Sequence, residues 1–221
     1  MADPSTVTVV IITYRTPDLT RCALNSFRTY YADTPLLLID NGSDEEGISV
    51  LEEFRMKAPG CTEVIRNSRN LHHGPAMHQA LRHIHSRYAL FLDSDSETRK
   101  GGFVENMVSL ADRGAKHYAV GKRVFLNNRG FDVDSPERGF AYIRPICMLI
   151  KRDSYLTLPP FRHHGSPCLQ NMIEARKRGF ILLDFLVEEY ILHKGRGTAG
   201  KYGYDLGWRG KINYVLNKMG L

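Results

Sequence analysis

Residues 88–97 read YALFLDSDSE. Tyr88 to Leu92 is apolar and runs straight into Asp93 and Asp95, two positions apart. A short apolar run of this kind fits a strand buried on both faces of a parallel sheet. In a strand, residues i and i+2 point to the same face. Continued through the acids, the strand would bring both carboxylates to one spot at its carboxyl end. Two such charges repel and raise each other's pKa. A divalent cation that favours oxygen ligands, Mg2+ or Mn2+, relieves the repulsion.

Upstream, VTVVIIT (residues 7–13) is a β-branched run that also predicts a buried parallel strand. Thr16-Pro17-Asp18 supplies a cap residue and a proline for a helix start, and Leu19, Cys22, Ala23, Ser26, Phe27 and Tyr30 keep helical spacing. PLLLIDNGSD predicts a second strand ending in Asp40, and TEVIRN a third. Leu51, Phe54 and Ala58 mark a helix between them; Met77, Ala80, Leu81 and Ile84 mark another before residue 88. This β-α-β-α-β-α-β order argues a doubly wound α/β sheet. Ligands of such sheets bind beyond the carboxyl ends of the strands, where Thr13, Asp40, the loop after Asn67 and Asp93/Asp95 all fall. No GxGxxG follows the first strand and no GxxxxGK[ST] occurs, so the dinucleotide and P-loop fingerprints are absent.

The second half is less regular. Gly102 to Arg113 fits a helix closed by Gly114, HYAVGKRVF and AYIRPICMLIKR fit strands, and Ser166-Pro167 reads as the start of a helix. FILLDFLVEEYILH predicts one or two strands, and the tail from Lys194 is rich in Gly, Lys, Arg and Tyr. With no linker or repeat, the expectation is one domain over residues 1–221, with a regular half (1–100) and a less regular half that ends in a basic tail (101–221).

Thirty Lys and Arg against 24 Asp and Glu give +6, a basic surface or an attraction to phosphates. The cysteines at 22, 61, 147 and 168 form no CxxC, which removes zinc-ribbon and thioredoxin readings. MADPSTVTVV lacks a signal-peptide pattern, and no apolar stretch is long enough to span a bilayer. A cytoplasmic protein is expected, with a candidate peripheral membrane contact through the basic, aromatic tail; nucleic acid is not an expected partner.

The stretches VVIITYRTPDL, LLLIDNGSDEE, RNLHHGPAMHQAL and LFLDSDSE, in this order, resemble family 2 glycosyltransferases of the GT-A fold. The resemblance implies an α/β, Rossmann-like, mostly parallel central sheet with helices on both faces. It implies a nucleoside-diphosphate sugar donor, UDP-linked by preference, and an unidentified hydroxyl acceptor on a glycan, lipid-linked or other molecule. Asp95 would bind Mn2+ or Mg2+ directly, with Asp93 at the ribose or the metal. Thr13, Tyr14 and Arg15 would flank the nucleoside, and Asp40 would bond the base. Asn70, Gly74 and Ser94 would lie near the nucleotide or sugar. ILHKGRGT resembles a late family segment in which His193 completes the metal or diphosphate site, with Lys194 and Arg196 suited to the diphosphate. Arg144, His164 and Ser166 would lie on the acceptor side.

The sequence also departs from the family pattern. The stretch FRHHGSPCLQNMIEARKRG has no acid before Glu174, where many inverting members place their catalytic base. His163 or His164 is the leading replacement, since imidazole titrates near neutral pH; Asp153 and Glu174 are weaker candidates. Inversion is the expected outcome and retention the alternative. Rival readings are a haloacid-dehalogenase-type phosphatase, a nucleotidyltransferase, and a degenerate GT-A protein that binds a nucleotide sugar, glycan or polyanion without turnover. His78 and His85, seven apart, invite a zinc site that no Cys/His spacing supports.

Overall fold

The computed structural model describes residues 6–162 and 165–195. Along the chain run β1 (Val7–Thr13), α1 (Pro17–Tyr30), β2 (Leu36–Asp40), α2 (Glu45–Lys57), β3 (Thr62–Arg66), α3 (His73–His83) and β4 (Tyr88–Leu92). They continue through β5 (Ser96–Thr98), α4 (Phe103–Asp112), β6 (His117–Leu126), β7 (Phe140–Lys151), α5 (Arg152–Leu156), α6 (Leu169–Lys177), β8 (Ile181–Asp184) and β9 (Ile191–His193). The central sheet has the order β3-β2-β1-β4-β7-β6-β8, and β5 with β9 forms a separate two-stranded ribbon. β1 runs parallel to β2 and β4, and β2 to β3; β7 is antiparallel to both its neighbours, and β8 is parallel to β6.

The near-continuous apolar runs arise because helices cover both faces of the sheet. Val10 and Ile12 of β1 pack with Met77, Ala80 and Leu81 of α3. Val9 and Ile11, on the other face, pack with Leu24 and Phe27 of α1 and Leu51 of α2. Burying a side chain of the size of Phe27 stabilises the fold by about 2–3 kcal/mol.

Pro145 sits inside β7, a position a central strand tolerates only at an irregularity. There the β6–β7 register shifts between Gly121 and Arg123. A Cβ on Gly121 would meet Cys147 O at 2.7 Å, so glycine permits the close approach of the two strands. Past this bulge, β6 and β7 extend beyond the end of β4, whose last residue, Leu92, is paired with Cys147.

Three local expectations change. β4 ends at Leu92, and Asp93-Ser94-Asp95 form a turn, with Ser96 N donating to Asp93 O at 3.1 Å. Strand pleating therefore does not bring the acids together; the turn does. Thr16 precedes α1 but makes no side-chain cap, and its buried hydroxyl has no partner. Ser166 does not cap α6: the helix starts at Leu169, and the Ser166 hydroxyl donates to Gly130 O at 3.0 Å. The run 180–193 divides into β8 and β9, which belong to different sheets. Among the described residues, no helix is long and apolar enough to cross a membrane.

Candidate active site

The site lies at the carboxyl ends of β1, β2 and β4. Thr13 and Asp40 are register partners at the ends of β1 and β2, and both are buried. The Thr13 hydroxyl lies 2.6 Å from that of Thr20, which ties β1 to the first turn of α1. Asp40 accepts from Ser43 N at 3.0 Å and from Gly42 N at 3.3 Å. Its carboxylate thus shapes its own loop, as Asp side chains do in turns. Arg15 N donates to Ser43 Oγ at 2.9 Å and joins this loop to the one after β1; Arg15 also lies over the Tyr14 ring at 5.2 Å.

Asn41 fastens a third loop. Its Nδ2 donates to Asn70 Oδ1 at 2.9 Å, and its Oδ1 accepts from Leu71 N at 3.1 Å. His72 N donates to the same Asn70 oxygen at 2.7 Å. This network delivers the chain to α3, whose first turn holds His73 and the buried Gly74.

After β4, Asp93 N donates to Ile146 O at 3.0 Å and Lys194 N to Asp95 O at 3.0 Å. In the ribbon, Ser96 is the register partner of His193. The turn is therefore held between β7 and β9. His193 Nε2 lies 3.1 Å from Asp95 Oδ1 and 3.6 Å from Asp93 Oδ2. One ligand atom from each of Asp93, Asp95 and His193 falls within 4.8 Å of the others. The adjacent carboxylates of Asp93 and Asp95 push the His193 pKa up to about 10. A proton there does what a bound cation would do, balancing two acids.

Two carboxylates and an imidazole fit a divalent cation. The observation in favour is the donor set itself: two carboxylate oxygens and one imidazole nitrogen close enough to share an ion.

Arg144 lies on β7, where its Nη2 pairs with Asp132 at 2.6 Å. Arg144, Asp132, Lys122, Ile146 and His193 line one open cleft of about 580 Å³, so Arg144 and the late histidine share a wall. Ser94 is buried within the turn. Lys194 Nζ donates to Cys22 Sγ at 3.0 Å and pairs with Glu97 at 3.2 Å. Arg196, His163, His164 and the tail beyond residue 195 lie outside the described residues.

Asp153 follows Lys151, the partner of Tyr88, and so stands by the amino end of β4, the far end of the sheet. Glu174 pairs with Arg178 at 2.7 Å. His78 bonds the Tyr155 hydroxyl at 2.7 Å, and burial lowers its pKa; it belongs to no metal cluster among the described residues. Sequence reasoning missed Asn41 and Asp132, and it reached His73 only as part of the loop 70–74. The available signal was position: Asn41 follows a strand-end acid, and His73 opens a helix at the same edge. A second cleft of about 570 Å³, lined by Thr8, Leu36, Thr62 and His83, lies at the opposite edge of the sheet.

The family model for glycosyl transferase family 2 matches residues 8–172. The match stops short of β9. A comparison with curated proteins returned no match. Among solved structures, the chain is similar to a mannosyltransferase, PcManGT from Pyrobaculum calidifontis, in complex with GDP-Man and Mn2+. The identity is 16%, the TM-score 0.64, and the match covers 83% of this chain and 56% of that one. It is also similar to S. aureus TarS 1–349 in complex with UDP-GlcNAc, at 15% identity and TM-score 0.63, covering 96% of this chain and 67% of that one. At these identities the likeness shows the fold. The chain spans 56% of the length of the first of these structures.

Proposed function

The chain belongs to glycosyl transferase family 2, and on that premise we propose that it is a metal-dependent glycosyltransferase. It would move a sugar from a nucleoside-diphosphate donor, UDP-linked by preference, to an acceptor hydroxyl, with inversion. The observation that carries this reading is the Asp93/Asp95/His193 cluster, set at the same sheet edge as Thr13 and Asp40.

Asp93, Asp95 and His193 hold the cation, and the imidazole among the oxygens favours Mn2+ over Mg2+. When bound, the ion supplies positive charge against the diphosphate leaving group. Thr13, Tyr14 and Arg15 flank the nucleoside, and Asp40 both fixes the loop and offers its remaining lone pairs to the base. Asn70 and Gly74 border the nucleotide beside Ser94. Lys194 and Arg196 serve the diphosphate; Lys194 reaches it by leaving Glu97. Arg144 and Ser166 belong to the acceptor side, where the cleft reaches His193. His163 or His164 takes the acceptor proton. Residues 1–100 form the nucleotide half and 101–221 the acceptor half.

Release of nucleoside diphosphate from UDP- and GDP-sugars, with Mn2+, Mg2+ or EDTA, tests the proposal. Turnover that survives EDTA sinks the metal role. Because residues 165–170 hold no acid, a second reading is a binder without turnover; tight donor binding with no release under any acceptor supports it. The proposal extends to a cytoplasmic place of action with peripheral membrane contact through the tail. Salt-sensitive co-sedimentation with anionic vesicles tests that part.

A further inference from the structure

Asp93 lies between two imidazoles. His193, from β9, stands 3.6 Å from Oδ2, and His73, from α3, stands 3.8 Å from Oδ1. Both distances are too long for a hydrogen bond. His73 Nε2 is also sealed from solvent with no other partner. Buried polar atoms without partners are rare, and each calls for a ligand, an ion or a functional role.

The chain goes to some trouble to place this ring. His72 has φ +68, a conformation that residues other than glycine seldom adopt. Its amide is fixed by Asn70, which Asn41 holds in turn. The sharp bend at His72 turns His73 into the first position of α3, beside the acidic turn.

We infer that His73 is a positioning residue of the cation site: its Nε2–H donates to Asp93 Oδ1 and keeps Oδ2 turned toward the ion shared with Asp95 and His193. This rests on the metal role proposed above. A carboxylate only accepts, so the donor must be the protonated Nε2 tautomer. Outer hydrogen bonds of this kind hold a ligating carboxylate in orientation and set metal affinity. The contact would also join the loop after β2, through Asn41 and Asn70, to the ion.

Mn2+ binding followed by the electron paramagnetic resonance of the free ion tests this without any turnover. His73→Ala should weaken Mn2+ binding about 10–100-fold. His73→Gln, whose amide nitrogen donates at similar reach, should recover most of the loss. Unchanged Mn2+ affinity in His73→Ala overturns the inference. So does a His73→Gln as weak as His73→Ala, which would make the imidazole itself a ligand. Pulsed spectra of the wild-type Mn2+ complex should show one coordinated imidazole nitrogen, from His193; two would overturn the assignment even if the alanine variant fails to fold. Asp95→Ala is the control. If it and the wild type alike bind no Mn2+, the metal role falls and takes this inference with it; if only His73→Ala matches wild type, the metal role stands alone.

Discussion

Two strand ends on one edge of the sheet, on either side of β1, lead into a buried or half-buried aspartate, and the two are used in opposite ways. After β2, Asp40 is 1% exposed, and amides of its own loop occupy its oxygens. After β4, Asp93 is 23% exposed at the side chain and faces imidazoles on both sides. A carboxylate satisfied by backbone amides builds a loop. A carboxylate set between two imidazoles and beside a second acid is, in the proposed function, held ready for a cation. The difference comes from the residues directly after each acid in the chain. Gly42 and Ser43 turn the backbone over Asp40, whereas Ser94 and Asp95 form a turn held from outside by β7 and β9.

Replacing Asp95 by alanine should produce the largest effect. Mn2+-dependent transfer should fall on the order of 1,000-fold, in line with the several kcal/mol a bound cation contributes to charge stabilisation. The melting temperature in EDTA should move by no more than about 3 °C, since the lost Asp95–His193 pair is part-exposed and Asp93 stays beside the imidazole. A large loss of stability would erase the contrast with Asp40.

The loop after β2 should answer in stability instead. Gly42 has φ +88, and an added Cβ would meet Arg69 C at 2.7 Å. Gly42→Ala should destabilise by about 2–3 kcal/mol, read as a lower urea midpoint. Asp40→Ala leaves the Ser43 and Gly42 amides without their acceptor. It should destabilise by about 1–3 kcal/mol with Mn2+ affinity unchanged. Loss of Mn2+ binding in Asp40→Ala would show that the two ends are not separate in function.

The gentlest lever is pH. In EDTA, His193 has its pKa raised from 6.5 to about 10 by Asp93 and Asp95. Its contribution to stability is fully present below the unfolded value and is lost as pH rises through about 10. The effect is partial, because the His193 side chain is 30% exposed. His193→Gln should melt with a flatter dependence between neutral and alkaline pH; an identical slope would show that the acids do not hold the imidazolium.

Much of the sheet is legible in the sequence because β1, β2 and β4 are buried on both faces, which forces runs such as VTVVIIT and YALFL. The carboxyl-edge site follows from topology, since every helix crossover returns polar loop residues to the same edge. Strand periodicity predicts the convergence of Asp93 and Asp95 for the wrong reason: it needs outside contacts from β7 and β9, which local periodicity cannot reveal. The same limit hides His73, whose position depends on a backbone bend at His72 and an asparagine network anchored some thirty residues earlier, at Asn41. Ser166 misleads because its hydroxyl meets Gly130, a partner from a distant loop.

The ribbon of β5 and β9 joins acids and histidine that lie about a hundred residues apart in the chain. On a translating ribosome, Asp93 and Asp95 would emerge about 5–20 s before His193, at ordinary elongation speeds. Until β9 arrives and zips onto its three-residue partner, the nascent protein has an open acidic turn without His193. If the proposed metal role holds, ion capture is a late event in biogenesis, and it reports that the polypeptide has closed upon itself.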